Sequence, residues 1–366
     1  MKIIQVSPSY PPSIGGVQNC SKELSERLAK KGHKVIVFTY APGINRKISI
    51  KIKNLTVHYL PGIEIAHTII LPTLIIKLLT LPSDCIMHVH IAKAFIPEVV
   101  YLVSKIRNIP YIVHFHLDVG PSGRLGFLLP FYKKYLLSRV LASSKRVVVL
   151  TNPYKDLMRN KYNIVKNIRV IPNGVGDEYF LKRKSASFKK TYNLLYVGRI
   201  SIQKRVNILI ESLKYIKHNC VLNIVGNGEL LSKMRKMITE NELDNVILHG
   251  EKKGKALIDF YRKADIFLLA SIQEGLPMVA LEAMAGGVPI IASDVIGNHE
   301  FIGDAGLLVN PPNPVNFARE INRLLDNRKL ANKFIFRGKN KALAHRWQEV
   351  VNKFEKVYRE AIDENI

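Results

Sequence analysis

Two carboxylates stand eight residues apart in the run Glu274-Gly-Leu-Pro-Met-Val-Ala-Leu-Glu282-Ala-Met-Ala-Gly-Gly-Val-Pro-Ile-Ile-Ala-Ser293. Gly275 frees the backbone for close approach to a ligand. Leu276 and Pro277 lead into a stretch of helical character, residues 279–285, that Gly286 and Gly287 end. The N–H groups of a helix start can face an anion. On this reading Glu274 lies before the helix and Glu282 about two turns along it. One carboxylate then meets the reacting end of a long ligand while the other meets a more distant part.

Fixed positive charge comes from Gly198-Arg199-Ile-Ser-Ile-Gln-Lys204, which follows an apolar run. A diphosphate leaving group needs cations opposite its oxygens; Arg supplies a planar fork and Lys a point charge. Gly15-Gly16, between a first strand and a helix, reads as a tight turn or as a place where backbone meets phosphate. His88 and His90, and His114 and His116, alternate so that each pair shares one strand face. Four histidines raise the question of a metal, but no acidic cluster or Asp-x-Asp accompanies them. A structural role is the preferred reading for His88 and His90, and no metal site is expected.

The elements that must hold these residues alternate. Strand runs at 3–6, 35–39, 86–89, 111–115 and 146–150 are separated by helical patterns at 19–31, 97–107 and 131–142. A second series, at 194–197, 221–225, 246–249, 266–269 and 289–292, follows a basic stretch at 182–190. Such alternation implies parallel sheets covered by helices. With 366 residues, 47% of them hydrophobic, the chain suits two α/β domains. The expected division is a first domain over 1–182, a second over 183–345, and a C-terminal helix in 346–366, with the linker near 181–191.

Three widely spaced cysteines (Cys20, Cys85, Cys220) form neither a disulfide framework nor a zinc motif, so a reducing, cytoplasmic setting is expected. The start of the chain does not read as a signal peptide. The longest apolar stretch, 63–81, is interrupted by Glu64, His67, Pro72 and Lys77, and reads as a helix or loop rather than a membrane span. A net charge of +26 favours anionic partners: nucleotide diphosphates, anionic lipid surfaces or nucleic acid.

The carboxylate run resembles the Glu-x7-Glu signature of retaining glycosyltransferases of the family-four, group 1 type. Ser7-x-x-Tyr-Pro-Pro-x-x-Gly15-Gly16, Gly198-Arg199…Lys204 and Ile171-Pro-Asn173-Gly174 resemble further segments of that family in the same order. Arg205 stands where the family has Gly after the lysine, Gly176 where it has Asp, and Ile296 where it has one Gly of a pair. The resemblance implies an α/β GT-B fold, two Rossmann-like domains facing a cleft, with the final helix packed back on the first domain. It implies transfer of a sugar from a nucleotide diphosphate sugar to an acceptor, with retention and without metal or other cofactor. Glu274 and His116 would then meet the sugar near the reaction centre. Gly15, Gly16, Arg199, Lys204, Gly275, Leu276 and Pro277 would line the donor, and Glu282 would accept from the ribose hydroxyls. Front-side and double displacement both stay open, as do a nucleotide-sugar epimerase, a glycosyl phosphorylase and a basic nucleic-acid-binding protein. No recognisable nucleic-acid-binding motif supports the last of these.

The acceptor side is expected in the first domain. Residues 130–146 mix aromatic and aliphatic residues with five basic ones and no acid, after a Gly-rich segment at 120–129. Both a docking face for an anionic membrane and a sheet-covering helix built on Leu136, Leu137, Val140 and Leu141 fit that pattern. The acceptor would then be a lipid, lipid-linked or small glycan, and the protein peripheral on the inner face of the membrane.

Overall fold

The computed structural model describes residues 1–13, 15–40, 48–65, 68–116, 127, 129–182 and 186–364. Two compact units emerge: Met1–Gly174 with Trp347–Ile366, and Val175–Arg346.

Unit 1 contains β1 (Lys2–Ser7), β2 (Lys34–Tyr40), β3 (Ile48–Ile52), β4 (Leu55–Leu60), β5 (Ile63–Ile65), β6 (Thr68–Ile70), β7 (Cys85–Ile91), β8 (Tyr111–Phe115), β9 (Arg146–Val149) and β10 (Ile168–Val170). Eight of them form one sheet in the order β10-β9-β8-β7-β1-β2-β4-β3. Only the β3–β4 pair within it is antiparallel, and β3 is an exposed edge strand. The central strands are buried on both faces, as parallel strands under helices must be; every residue of β7 and β8 is buried. Within 63–81, β5 and β6 pair antiparallel and Leu74–Leu79 is a short helix, with 66 and 67 outside the described residues. Among the described residues no helix is long and apolar enough to cross a membrane.

Each sheet face has its own core. One packs Val6, Met87, Val89, Val113 and Phe115 against the helix Ile96–Arg107 and the later segment carrying Leu137, Val140 and Leu141. The helix Ile96–Arg107 ends because Asn108 takes the left-handed conformation at φ 51°, a usual stop signal. On the other face the helices Gly16–Lys30 and Trp347–Asp363 cover Ile3, Ile86, Ile112 and Val148. Trp347–Asp363 buries Trp347, Val350, Val351, Phe354, Val357, Tyr358 and Ala361, a stripe at helical spacing.

The boundary between the units falls at Gly174, ahead of the expected linker. Val175 N–H donates to the His345 carbonyl at 2.8 Å and bridges Arg346. The Arg346 guanidinium lies 4.5 Å from the Phe180 ring centre, and Lys339 Nζ donates to the Leu181 carbonyl at 3.2 Å. Backbone pairing thus ties the chain to unit 2 before the basic stretch begins.

Unit 2 is built on a wholly parallel sheet, β13-β12-β11-β14-β15-β16, of β11 (Tyr192–Val197), β12 (Cys220–Val225), β13 (Val246–Leu248), β14 (Ile266–Leu269), β15 (Ile290–Ser293) and β16 (Gly306–Val309). The turns that follow β11, β12 and β13 are tied together. Gly198 N–H donates to the Val225 carbonyl (3.0 Å), Ile200 N–H to Asn227 (2.9 Å) and Gly226 N–H to Gly250 (2.9 Å). A Cβ on Gly226 would sit 1.8 Å from the Gly198 oxygen, so only glycine allows this approach.

Candidate functional site

The turn after β11 carries Arg199 and Lys204. Arg199 is exposed and lines a 430 Å³ pocket with Ser201, Ile202, Gln203, Glu229, Ile272 and Gln273. Lys204 ends a single 3-10 turn, Ile202–Lys204. Arg205 then takes the left-handed conformation, φ 49° and ψ 43°, that the usual glycine would favour. Its guanidinium donates to the Pro312 carbonyl at 2.8 Å, so the departure from glycine keeps the turn and adds a hydrogen bond.

Lys204 meets Glu274. Its ammonium lies 2.5 Å from Glu274 Oε1, and Ser271 Oγ donates to the same oxygen at 2.5 Å. The pair adjoins the pocket through Gln203 and Gln273 without lining it. Behind Ser271 runs a buried polar chain: Ser293 Oγ donates to the Ser271 carbonyl (2.6 Å), and Asn298 Nδ2 donates to the Ser293 carbonyl (3.0 Å). Gly297, at the start of the helix Ile296–Ile302, touches the Glu274–Gly275 backbone. A Cβ there would sit 2.3 Å from the Glu274 oxygen. Ser271, Asn298 and Gly297 therefore fix where Glu274 stands. Sequence reading assigned them no part in this, because their partners come from different strand ends.

Leu276 is buried, and Pro277 precedes the helix Met278–Ala285. Glu282 sits in its second turn, closer to the helix start than the two turns expected. Its Oε2 accepts from the Tyr261 hydroxyl at 2.7 Å. Burial raises its carboxyl from an ordinary 4.5 to about 7, against the opposing hydrogen bonds from Tyr261 and Tyr179. Both tyrosines escaped sequence reading. Tyr179 lies in the turn Asp177–Tyr179, far along the chain from Glu282, and its ring packs edge-on to Tyr261 at 5.8 Å.

In unit 1, Gly15 and Gly16 open the helix Gly16–Lys30. Among the described residues a Cβ on Gly16 would meet nothing, and one on Gly15 only the movable Gln18 side chain, so packing against them does not demand glycine at either place. The four histidines form one layer on the face beneath the helix Trp347–Asp363, all buried. His116, just past β8, is 2.9 Å from His90 through Nε2 and Nδ1. Burial lowers every imidazole of the layer, His88 and His116 to about 3 and His90 and His114 well below their usual value, so all are neutral near pH 7. The expected membrane-facing segment is partly of another kind. Its turns Tyr132–Leu137 are a π-helix, followed by the helix Ser138–Ser143. Leu137, Val140 and Leu141 are buried, but Phe131, Tyr135 and Leu136 are exposed. Lys133 is buried, Arg146 is engaged by the carboxylates of Glu360 and Glu364, and Lys145 donates to the Glu364 carbonyl, leaving Lys134 and Arg139 exposed. Of the Gly-rich segment before it, 120–126 and 128 lie outside the described residues.

Known proteins match along the whole chain. The family Glycosyltransferase Family 4 matches residues 14–179, and the family Glycosyl transferases group 1 matches residues 177–341. An uncharacterized glycosyltransferase of Methanocaldococcus jannaschii is 28% identical over 99% of both chains. A UDP-Gal:alpha-D-GlcNAc-diphosphoundecaprenol alpha-1,3-galactosyltransferase of Escherichia coli is 27% identical over 69% of this chain and 70% of its own. Among solved structures, sucrose-phosphate synthase of Thermosynechococcus elongatus superposes with a TM-score of 0.78 at 20% identity, covering 100% of both chains.

Proposed function

The chain belongs to the group 1 glycosyltransferases, with their GT-B fold of two Rossmann-like domains, and on that footing we propose that it is a retaining, metal-independent hexosyltransferase. Its donor is a nucleoside-diphosphate sugar. The observation that carries this reading is the Lys204–Glu274–Ser271 arrangement beside the Arg199 pocket. As the anomeric C–O bond breaks, negative charge collects on the departing diphosphate, and Lys204 and Arg199 stabilise it as preorganised cations. Glu274, held by both an ammonium and a hydroxyl on one oxygen, is better suited to orienting the sugar than to attacking it. Gly275, Leu276 and Pro277 hold the backbone where the donor passes. The roles of His116 toward the sugar and of Gly15 and Gly16 toward the diphosphate rest on the family resemblance.

Donor hydrolysis tests this directly. A thermal-shift screen of nucleotide sugars should identify one stabilising donor, and its slow hydrolysis should persist in excess EDTA. An absolute requirement for Mn²⁺ or Mg²⁺ would sink the metal-independent mechanism. Conversion of the donor into its epimer, with no sugar or nucleoside diphosphate released, would replace transfer with epimerisation.

Glu282 accepts hydrogen bonds from the ribose hydroxyls, and its raised pKa gives this role a pH signature. The unfolded chain releases the Glu282 proton near pH 4.5, whereas the native protein keeps it until about pH 7. Native protein therefore binds more protons across that window, and this residue's contribution makes stability fall as pH rises through it, then level off. Glu282→Gln keeps an acceptor for Tyr261 and removes the penalty. It should stabilise the protein at pH 8 by on the order of 2–3 kcal/mol relative to its effect at pH 4.5. The same change should weaken nucleoside diphosphate binding by about 1–3 kcal/mol. Urea melts at both pH values and calorimetric titration check it; unchanged affinity would remove the ribose role.

The acceptor is lipid, lipid-linked or glycan, taken at a membrane surface through Phe131, Tyr135 and Leu136, with Lys134 and Arg139 beside them. Exposed aromatic residues next to basic ones suit an anionic interface. Since only two of the five basic residues are exposed, at roughly 1 kcal/mol each near anionic lipid, the apolar trio should dominate. Changing all three to Ser should abolish flotation with anionic vesicles, while Lys134→Glu with Arg139→Glu should weaken it and flatten its salt dependence. Equal recovery of wild type and triple variant would favour a soluble acceptor.

A further inference from the structure

We propose that His88, His90 and His114 form a binding site for one divalent zinc-class transition metal inside unit 1. One donor atom from each lies within 4.8 Å of the others. Each residue is 0–1% exposed. The site uses none of the donor-side residues Arg199, Lys204, Glu274 or Glu282, but His90 also pairs with His116, so metal loading is read apart from transfer activity.

Hydrogen bonding sorts the ring nitrogens. His88 Nδ1 pairs with the Tyr358 hydroxyl at 2.7 Å, and His88 Nε2 has no partner among the described residues. His90 Nδ1 pairs with His116 Nε2 at 2.9 Å, and its Nε2 has only a long 3.4 Å contact with Gln5 Oε1. Among the described residues His114 has no partner on either nitrogen. Metal-binding imidazoles show this division of labour: one nitrogen is fixed by an outer partner and the other carries the lone pair to the ion. An orphaned buried polar atom costs about 1–3 kcal/mol, and here three such atoms from two imidazoles share one layer. A metal held by His114 and His88 would satisfy one atom on each.

The reach is short. Zinc–nitrogen bonds of about 2.0–2.1 Å in a tetrahedral site place ligand atoms roughly 3.3 Å apart. The rings now stack, His88 on His90 at 4.4 Å between centres, with His90 and His114 at 5.2 Å and paired in register on adjacent strands. The contraction needs rotation about the broad terminal torsion of histidine rather than movement of strands. Imidazole ligands without carboxylates select zinc, cobalt, nickel or copper over magnesium or calcium.

A site this enclosed must load during folding. The full chain, without a polyhistidine tag, is unfolded in denaturant with chelator and refolded with or without Zn²⁺ or Co²⁺. One equivalent of metal should survive gel filtration, Co²⁺ should give the visible absorption of a nitrogen-ligated tetrahedral ion, and Zn²⁺ should raise the melting temperature. Tyr358→Phe, which removes the outer partner of His88, should weaken Zn²⁺ binding by about 10–100-fold. His114→Phe should abolish the Co²⁺ spectrum while far-UV circular dichroism shows a folded chain. If His114→Phe does not fold, His88→Gln serves the same comparison. Wild type that retains no metal, or retains no more than these folded variants, would overturn the site and leave the layer as neutral core.

Discussion

Replacing Lys204 with alanine should lower turnover of the nucleotide sugar by about 10²–10³-fold, the usual consequence of deleting one preorganised charge-stabilising group. The loss should fall mainly on kcat, because the diphosphate gains charge as the anomeric bond breaks. On the proposed reading Arg199, exposed at the pocket, would remain to bind the ground-state diphosphate. Lys204 also pairs with Glu274 at 2.5 Å, so the variant removes a cation from a carboxylate whose side chain is only 9% exposed. A thermal melt must therefore accompany the kinetics. The double variant separates the effects: if Lys204 and Glu274 act as one unit, Lys204→Ala with Glu274→Ala should be little slower than either alone. Full additivity would mean independent roles, and kcat within threefold of wild type in Lys204→Ala would remove the lysine from the chemistry.

Trp347→Ala should destabilise unit 1 by about 3–5 kcal/mol, the range for an aromatic deleted from a core. Trp347 is 3% exposed, and a Cβ added at Gly174 would sit 2.4 Å from its indole, so backbone is pressed against the ring and cannot fill the space without moving. The helix it begins covers the sheet face that holds Ile3, Ile86, Ile112 and Val148. Urea unfolding followed by circular dichroism should show an early transition in the variant. Trp347 is also the single tryptophan of the chain, so its fluorescence in wild type reports unit 1 selectively. A variant that melts within 1 kcal/mol of wild type would show that the helix is held by its later residues, Phe354 and Tyr358 above all.

Much of this architecture could be read from the residues, for a reason visible in β7, β8, β11 and β14. Parallel strands buried on both faces must be nearly continuous apolar runs, and such runs are conspicuous. The edge escaped notice: β3 is exposed at every position, and β16 is a four-residue strand beginning with glycine. The helix expected at 131–142 is irregular because Tyr132–Leu137 widens into a π-helix, a change in hydrogen-bonding register that periodicity does not encode. Site chemistry divides likewise. Glu274, Lys204 and Glu282 stand in local patterns with turn and helix signals around them. Ser271, Asn298, Tyr179 and Tyr261 are common residue types whose meaning comes only from what folding brings beside them. Lys133, Lys145 and Arg146 counted as surface charge until burial took the first, the Glu364 backbone carbonyl the second, and the Glu360 and Glu364 carboxylates the third.

Unit 1 leaves the chain at Gly174 and resumes at Trp347, and this order matters during synthesis. When the ribosome has made Gly174, every strand of the first sheet exists, but one of the two helices that cover one of its faces does not. Making residues 175–346 takes on the order of 10–30 s at usual elongation rates. Throughout that interval Ile3, Ile86, Ile112, Val148 and the histidine layer lack half of their cover, while unit 2 is completed without interruption. The second unit in sequence is then the first that can finish folding. The nascent first unit is a substrate for whatever holds unfinished apolar sheets apart, and it closes only when Trp347, Phe354 and Tyr358 emerge.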